Sequence, residues 1–316
     1  MATHASSPFA ARNRRIVLLV VLAALLAAAA VVGATLLQTR GETTTVKGAV
    51  TQPRSGRPPL EFEFGLRKGP EVKALARAER LFDREDDAAQ AAAVFRRHHS
   101  VEAQLGLLFT TWRGAASLGA VQTLAASHDD SPVVLLNLGW AYYWAGRNAD
   151  ATAVWQKTAQ SFPDSPYAVD ADDALHPGVA PGLPPIVVAA AAVPAKARAD
   201  LVAGIRQWDL EHVVAARQKL DAAAAIDGRD PETLVAAAVA RFSPAQPLRP
   251  FPRLGPLTAR FPKASIVRLH IGVMLLWTRQ VARGKAQLRL AAAEQPSSVY
   301  ARQARLLLKA LKKDGP

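Results

Sequence analysis

Apolar and polar positions alternate with a different rhythm in each part of the chain. Ile16 to Leu37 is an uncharged run of 22 residues. As a helix it would span about 33 Å, enough for the core of a bilayer, so the pattern predicts a transmembrane helix over 16–37. Arg12, Arg14 and Arg15 precede the run and only Arg40 follows it closely. The basic bias places residues 1–15 in the cytoplasm as a short tail and the rest outside, the topology of a single-pass protein of the cell membrane. Val32-Gly33-Ala34 offers a cleavage site for the competing reading, a signal peptide, but the run is longer than the usual signal core of about 7–15 residues. Residues 38–70 are rich in Thr, Gly, Pro and charge with no helical period, as in a stalk. Within them Leu60-Glu61-Phe62-Glu63-Phe64 alternates apolar and acidic residues, which predicts a short strand or an extended segment packed on the first helix pair.

From Glu71 onward apolar positions recur at three and four residues, in segments broken by Gly, Pro, Asp or Ser, the pattern of consecutive helical hairpins. Two such arrays are predicted, over 71–176 and 195–316, separated by a Pro-rich linker over 177–194. The linker's run Ile186 to Val193 is too short to cross a bilayer and reads as a buried crossing between the arrays. Prolines punctuate the chain: Pro132 to Pro163 and Pro231 to Pro262 are 31 residues apart, and Pro262 to Pro296 is 34. A two-helix period near 34 is a solenoid signature.

The sharpest unit is Leu135-Leu136-Asn137-Leu138-Gly139-Trp140-Ala141-Tyr142, then Gly146, Ala151, Trp155 and Pro163. It resembles the tetratricopeptide repeat. Ile271-Gly272, Leu275, Gly284, Leu288 and Pro296 form a more degenerate copy, with Gly272 to Pro296 repeating the 24-residue spacing of Gly139 to Pro163. Fainter copies fall on Phe82, Ala91 and Phe95, on Leu105, Gly106, Phe109, Ala120 and Leu124, and on Gly204, Ala216, Leu220 and Ala223. The resemblance, over about 71–313, implies an all-α solenoid behind the membrane helix. Its first helices would line a concave face that binds peptides, with Pro166 to Leu175 and Ser297 to Lys313 as closing helices. Alanine-rich composition with 6% aromatics agrees with closely packed helices rather than a sheet sandwich.

Chemistry narrows the picture by exclusion. Without cysteine there are no disulfides, thiolate nucleophiles or cysteine zinc sites. No Gly-x-Ser-x-Gly elbow, phosphate-cradling glycine loop or His-Glu-x-x-His pair is present, so no enzyme, cofactor or metal site is expected. His98-His99 and the group Asp172, Asp173 and His176 read as helix-end and solvated residues rather than ligands.

Asn137, Trp140, Tyr143 and Trp144 are the candidate partner-binding residues of the concave face, which the resemblance implies would take a protein partner. Asn137 sits where some tetratricopeptide proteins clamp a carboxylate, but the basic companions are missing and that role is not carried over. The formal charge of +13 resides in one end: residues 248–316 carry 14 Lys and Arg against Glu294 and Asp314. Arg279, Arg283, Arg289, Arg302, Arg305, Lys309 and Lys312 therefore form a candidate surface for an anionic partner, with lipid or an envelope polymer the leading classes. Nucleic acid is poorly supported, because few aromatics interleave the cations. Together these features point to a membrane-anchored bacterial envelope scaffold for protein–protein interaction. A polyanion-docking module and an assembly factor of the cytochrome-maturation type are the alternatives.

Overall fold

The computed structural model describes residues 52–83 and 87–313. Fourteen α-helices and no β-strand form among them: α1 (Pro70–Asp83), α2 (Ala88–Phe95), α3 (Val101–Thr110), α4 (Leu118–Ser127), α5 (Pro132–Trp144), α6 (Asn148–Ser161), α7 (Pro166–Leu175), α8 (Ala195–Asp209), α9 (Val213–Ile226), α10 (Pro231–Val239), α11 (Phe251–Arg260), α12 (Ser265–Trp277), α13 (Val281–Glu294) and α14 (Val299–Lys313). Their ends follow local chemistry. Asp87 accepts from the Gln90 N–H and Asp230 from the Glu232 N–H, each satisfying an orphan donor of a first turn. Pro132 and Pro231 occupy first-turn positions where no N–H is needed.

The chain divides into two compact units. The first comprises residues 52–175 together with Leu210–His212; the second comprises His176–Asp209 and residues 213–313. In the first, an extended segment is followed by the hairpins α1·α2, α3·α4 and α5·α6 and the closing helix α7. In the second the same order recurs as α8·α9, α10·α11, α12·α13 and α14. The apolar faces of successive hairpins bury one another, as the hairpin-repeat resemblance implies. Gly139 shows why that packing is close. A Cβ there would lie 2.2 Å from the Trp155 indole nitrogen, so only glycine lets α6 lay its tryptophan across α5. Gly272 receives Leu288 in the equivalent hairpin, with 2.9 Å to a hypothetical Cβ.

The correspondence extends beyond the hairpins. Helices α5, α6 and α7 begin 133 residues before α12, α13 and α14 (Pro132 to Ser265, Asn148 to Val281, Pro166 to Val299). Glu102 and Glu232, both buried, occupy matching places near the starts of α3 and α10. Each unit is one copy of the same seven-helix plan.

One expectation is corrected. Among the described residues no helix is long and apolar enough to cross a membrane. The longest, α8 and α14, have 15 residues each and carry charge; at about 1.5 Å per residue they reach about 22 Å, short of a bilayer core. The membrane helix over 16–37 falls outside the described residues, and the single-pass placement, with its cytoplasmic N-terminus and extracytoplasmic domain, is not supported and is set aside.

Candidate functional site

An extended segment cannot satisfy its backbone alone, and with no strand among the described residues to pair with, its N–H and C=O groups must find side chains. In the first unit they do. The Glu61 N–H donates to Asn137 Oδ1 at 3.1 Å, and Asn137 Nδ2 donates to the Glu61 carbonyl at 2.9 Å. Two residues on, the Glu63 N–H donates to the Tyr167 hydroxyl at 3.0 Å, which donates to the Glu63 carbonyl at 3.2 Å. Alternate residues of an extended chain present their backbone groups to the same edge, so Asn137 of α5 and Tyr167 of α7 occupy the place of a neighbouring strand. The opposite edge is met by α1: the Leu60 N–H reaches Asp83 Oδ1 at 3.3 Å and the Phe62 N–H reaches Glu79 Oε1 at 2.8 Å. Leu60 and Phe62 are buried, and the Phe62 ring packs edge-on against Phe95. Upstream, the Arg54 N–H donates to the Trp144 carbonyl at 2.8 Å and its guanidinium lies 3.4 Å from the Tyr143 ring centroid.

The second unit repeats the arrangement 126 residues further along the segment (Arg54 to Ala180, Glu61 to Val187, Glu63 to Ala189). The Ala180 N–H donates to the Trp277 carbonyl at 2.9 Å. The Val187 N–H donates to His270 Nε2 at 3.0 Å, and the Ala189 N–H lies 2.8 Å from the Tyr300 hydroxyl and 2.9 Å from Glu232 Oε2. His270 stands in place of Asn137 and Tyr300 in place of Tyr167. Trp208 and Trp277 add indole bonds to the carbonyls of Pro184 and Gly182, at 2.8 and 3.1 Å.

The two grooves differ in charge. Around the first segment, burial and the charges of Asp83 and Glu63 lift the Glu61 carboxyl to about 7, while the Trp140 indole lowers it. Burial lifts Glu79 to about 8 and Glu211 to about 7, and holds Asp170 well above the usual carboxylate range; Glu63 adds to all three. Glu61 Oε2 and the Trp140 indole N–H are shut off from solvent beside one another, and the Trp144 indole N–H is buried without a hydrogen-bond partner. In the second groove Val187 and Ala189 replace the two glutamates, and the reader at α12 is uncharged. Burial pushes His270 down to about 4, leaving a neutral ring whose Nδ1 faces the Ile266 carbonyl at 2.8 Å and whose Nε2 accepts from Val187.

The structure places Asn137 fully buried on the first segment, while Trp140, Tyr143 and Trp144 form one aromatic cluster with Trp155, Trp140 and Trp155 having centroids 4.8 Å apart. Arg302, Arg305, Lys309 and Lys312 stand exposed on one face of α14, and Arg283 and Arg289 are exposed on α13. Arg279 is turned aside, donating to the Pro177 carbonyl at 2.9 Å from a left-handed backbone. His98 lies 3.7 Å from Glu71, and among the described residues no three His, Asp or Glu side chains gather to hold a metal. An open hollow of about 270 Å³ is lined by Leu135, Leu138, Tyr142 and Val154 among others, with Lys157 at its wall donating to the Asp129 carbonyl at 3.3 Å.

Sequence reasoning missed Tyr167, Glu79, His270 and Tyr300. The available signal was the coincidence of Asn137 with His270, Trp144 with Trp277 and Tyr167 with Tyr300 at one spacing, 133 residues.

No protein-family model matches the sequence, and no curated protein matches it. Among solved structures, the TPR2AB domain of yeast Sti1 in its pHSP90 complex aligns with 77% of this chain and 98% of that one, at 11% identity and a TM-score of 0.33. A score of that size does not bear on the fold or the function of this chain.

Proposed function

We propose that the protein is a non-catalytic scaffold whose two grooves take hold of extended polypeptide by its main chain. The observation that carries this reading is the repeated bracket: Asn137 and Tyr167 in one unit, His270 and Tyr300 in the other, each reading backbone at alternate residues. Main-chain recognition of this kind fixes register without demanding a particular side chain, as in strand addition at a sheet edge. The segments now seated are the chain's own, so a protein partner would enter by exchange with them. A fluorescent peptide of residues 52–68, titrated onto the full chain, should bind saturably. Asn137→Ala should weaken binding at least tenfold, about 1.4 kcal/mol. Absence of saturable binding, or binding indifferent to Asn137, would overturn the reading.

A second reading rests on the exposed cations of α14, a helix without a single acid among its described residues. This face would meet a polyanionic partner, and its binding should fall steeply as salt rises from 50 to about 200 mM. Retention unaffected by salt would exclude it.

A further inference from the structure

The first groove places a segment bearing two glutamates among further carboxyls. Glu79 approaches it from α1, Asp170 from α7 and Glu211 from Leu210–His212, while the exposed Asp83 accepts from the Leu60 N–H. Glu102 of α3 is already paired with Arg67, and α5 contributes only the uncharged Asn137 and Trp140. Arg54 and Arg57 lie upstream, over the rings of Tyr143 and Phe82, with Arg57 5.1 Å from its ring. Like charges in a site of lowered dielectric repel more strongly than in water. The backbone of the resident segment is well matched to the groove; its side chains at 61 and 63 are not.

We propose that the first groove selects extended segments carrying cationic side chains at the positions of Glu61 and Glu63, two residues apart around a buried apolar residue, and that the resident segment is a weaker placeholder which such a ligand displaces. This rests on the reading of the groove as a peptide site and names its ligand class. Charge complementarity is the ground: a lysine or arginine at the half-buried 61 position would meet the carboxyls of Glu79 and Asp170, and one at the exposed 63 position would add a weaker, screened contact. The apolar residue between them would take the Phe62 place beside Phe95. The second groove is the internal contrast. With Val187, Ala189 and a neutral His270 at the equivalent places, and with the Glu232 carboxyl already engaged by the Tyr300 hydroxyl and the Ala189 N–H, it offers a basic segment less gain.

The resident acids also explain the proton affinities of the site. Burial and mutual repulsion hold Glu61, Glu79 and Glu211 near neutrality, so part of the repulsion is relieved by bound protons. A basic ligand would replace those protons, which makes its advantage largest at the higher pH.

The test uses the full chain and two labelled peptides of residues 57–67, one native and one with Glu61→Lys and Glu63→Lys. Binding is read by anisotropy at pH 7.5 and 5.5. The lysine peptide should bind about tenfold or more tightly than the native one at pH 7.5, the worth of a single favourable charge contact in a half-buried site. The ratio should shrink at pH 5.5 and in the Glu79→Gln and Asp170→Asn variants. Gln at 79 keeps an acceptor for the Phe62 N–H, so circular dichroism should show that variant folded. Equal binding of both peptides, or a ratio unmoved by those substitutions, would overturn the charge preference while leaving the groove a peptide site. Binding of neither would overturn both.

Discussion

Asn137→Ala isolates the bracket. The carboxamide makes two bonds to the Glu61 backbone, at 3.1 and 2.9 Å, and one to the Val133 carbonyl at 2.8 Å. Truncation leaves the Glu61 N–H and C=O without their partner. An ordinary hydrogen bond contributes about 0.5–1.5 kcal/mol net, and a buried group left unmade costs about 1–3 kcal/mol. Glu61 is half-buried, so water reaches part of the gap and each group costs about 1–1.5 kcal/mol, near the bottom of that span, or about 2–3 kcal/mol for the pair. The loss falls on docking of the segment, because the Val133 carbonyl keeps its helical partner. Opening of residues 58–64 should therefore become about 30- to 150-fold more frequent. Chymotrypsin reports it: Phe62 is 5% exposed, and cleavage beside it follows the open population when closing outpaces cutting. The site of cleavage is read by mass. An unchanged rate would mean that Leu60 and Phe62 hold the segment by burial alone and that the bracket contributes nothing.

Three further outcomes are expected. Gly139→Ala should destabilise the first unit by about 2–3 kcal/mol in urea unfolding, since the rigid Trp155 indole cannot yield to a Cβ at 2.2 Å, whereas Gly272→Ala, facing the flexible Leu288, should cost under about 1 kcal/mol. The grooves should differ in their response to acid. Glu61 and Glu79, lifted from 4.5 to about 7 and about 8, bind protons that the unfolded chain does not, so the first segment's hold is complete below about pH 4.5 and lost as pH rises through 7 to 8. His270, lowered from 6.5 to about 4, gives the second segment a loss of hold as pH falls toward 4 that the first lacks, while Glu232, raised by burial, weakens it as pH rises as in the first; native-state proteolysis at pH 4.5 should therefore loosen the second segment and not the first, and equal loosening of both would refute the assignment. Tyr300→Phe should loosen residues 183–189 by about tenfold in the same assay, because the Ala189 N–H keeps only Glu232 Oε2.

Much of the helical plan was legible because hairpin packing is written in local spacing. Gly139, Ala151 and Trp155 sit where two helices must approach, and the structure packs Trp155 against Gly139 with Ala151 fully buried. The grooves were legible only in part. Alternation at Leu60 to Phe64 announced an extended segment, but its partners lie as far as 104 residues away, and backbone-to-side-chain bonds leave no periodic trace. The duplication was hidden for a related reason. His270 replaces Asn137 and Leu288 replaces Trp155, each chemically adequate and dissimilar by eye, so only constant spacing betrays the match.

Amide hydrogen exchange on the unmodified chain bears most directly on the bracketed segments. The N–H groups of Glu61, Glu63, Val187 and Ala189 should exchange at least 100-fold more slowly than in a free peptide of the same sequence, in line with about 2.7 kcal/mol of opening. Exchange at the free-peptide rate would show that the segments are not held, and that the grooves do not read main chain.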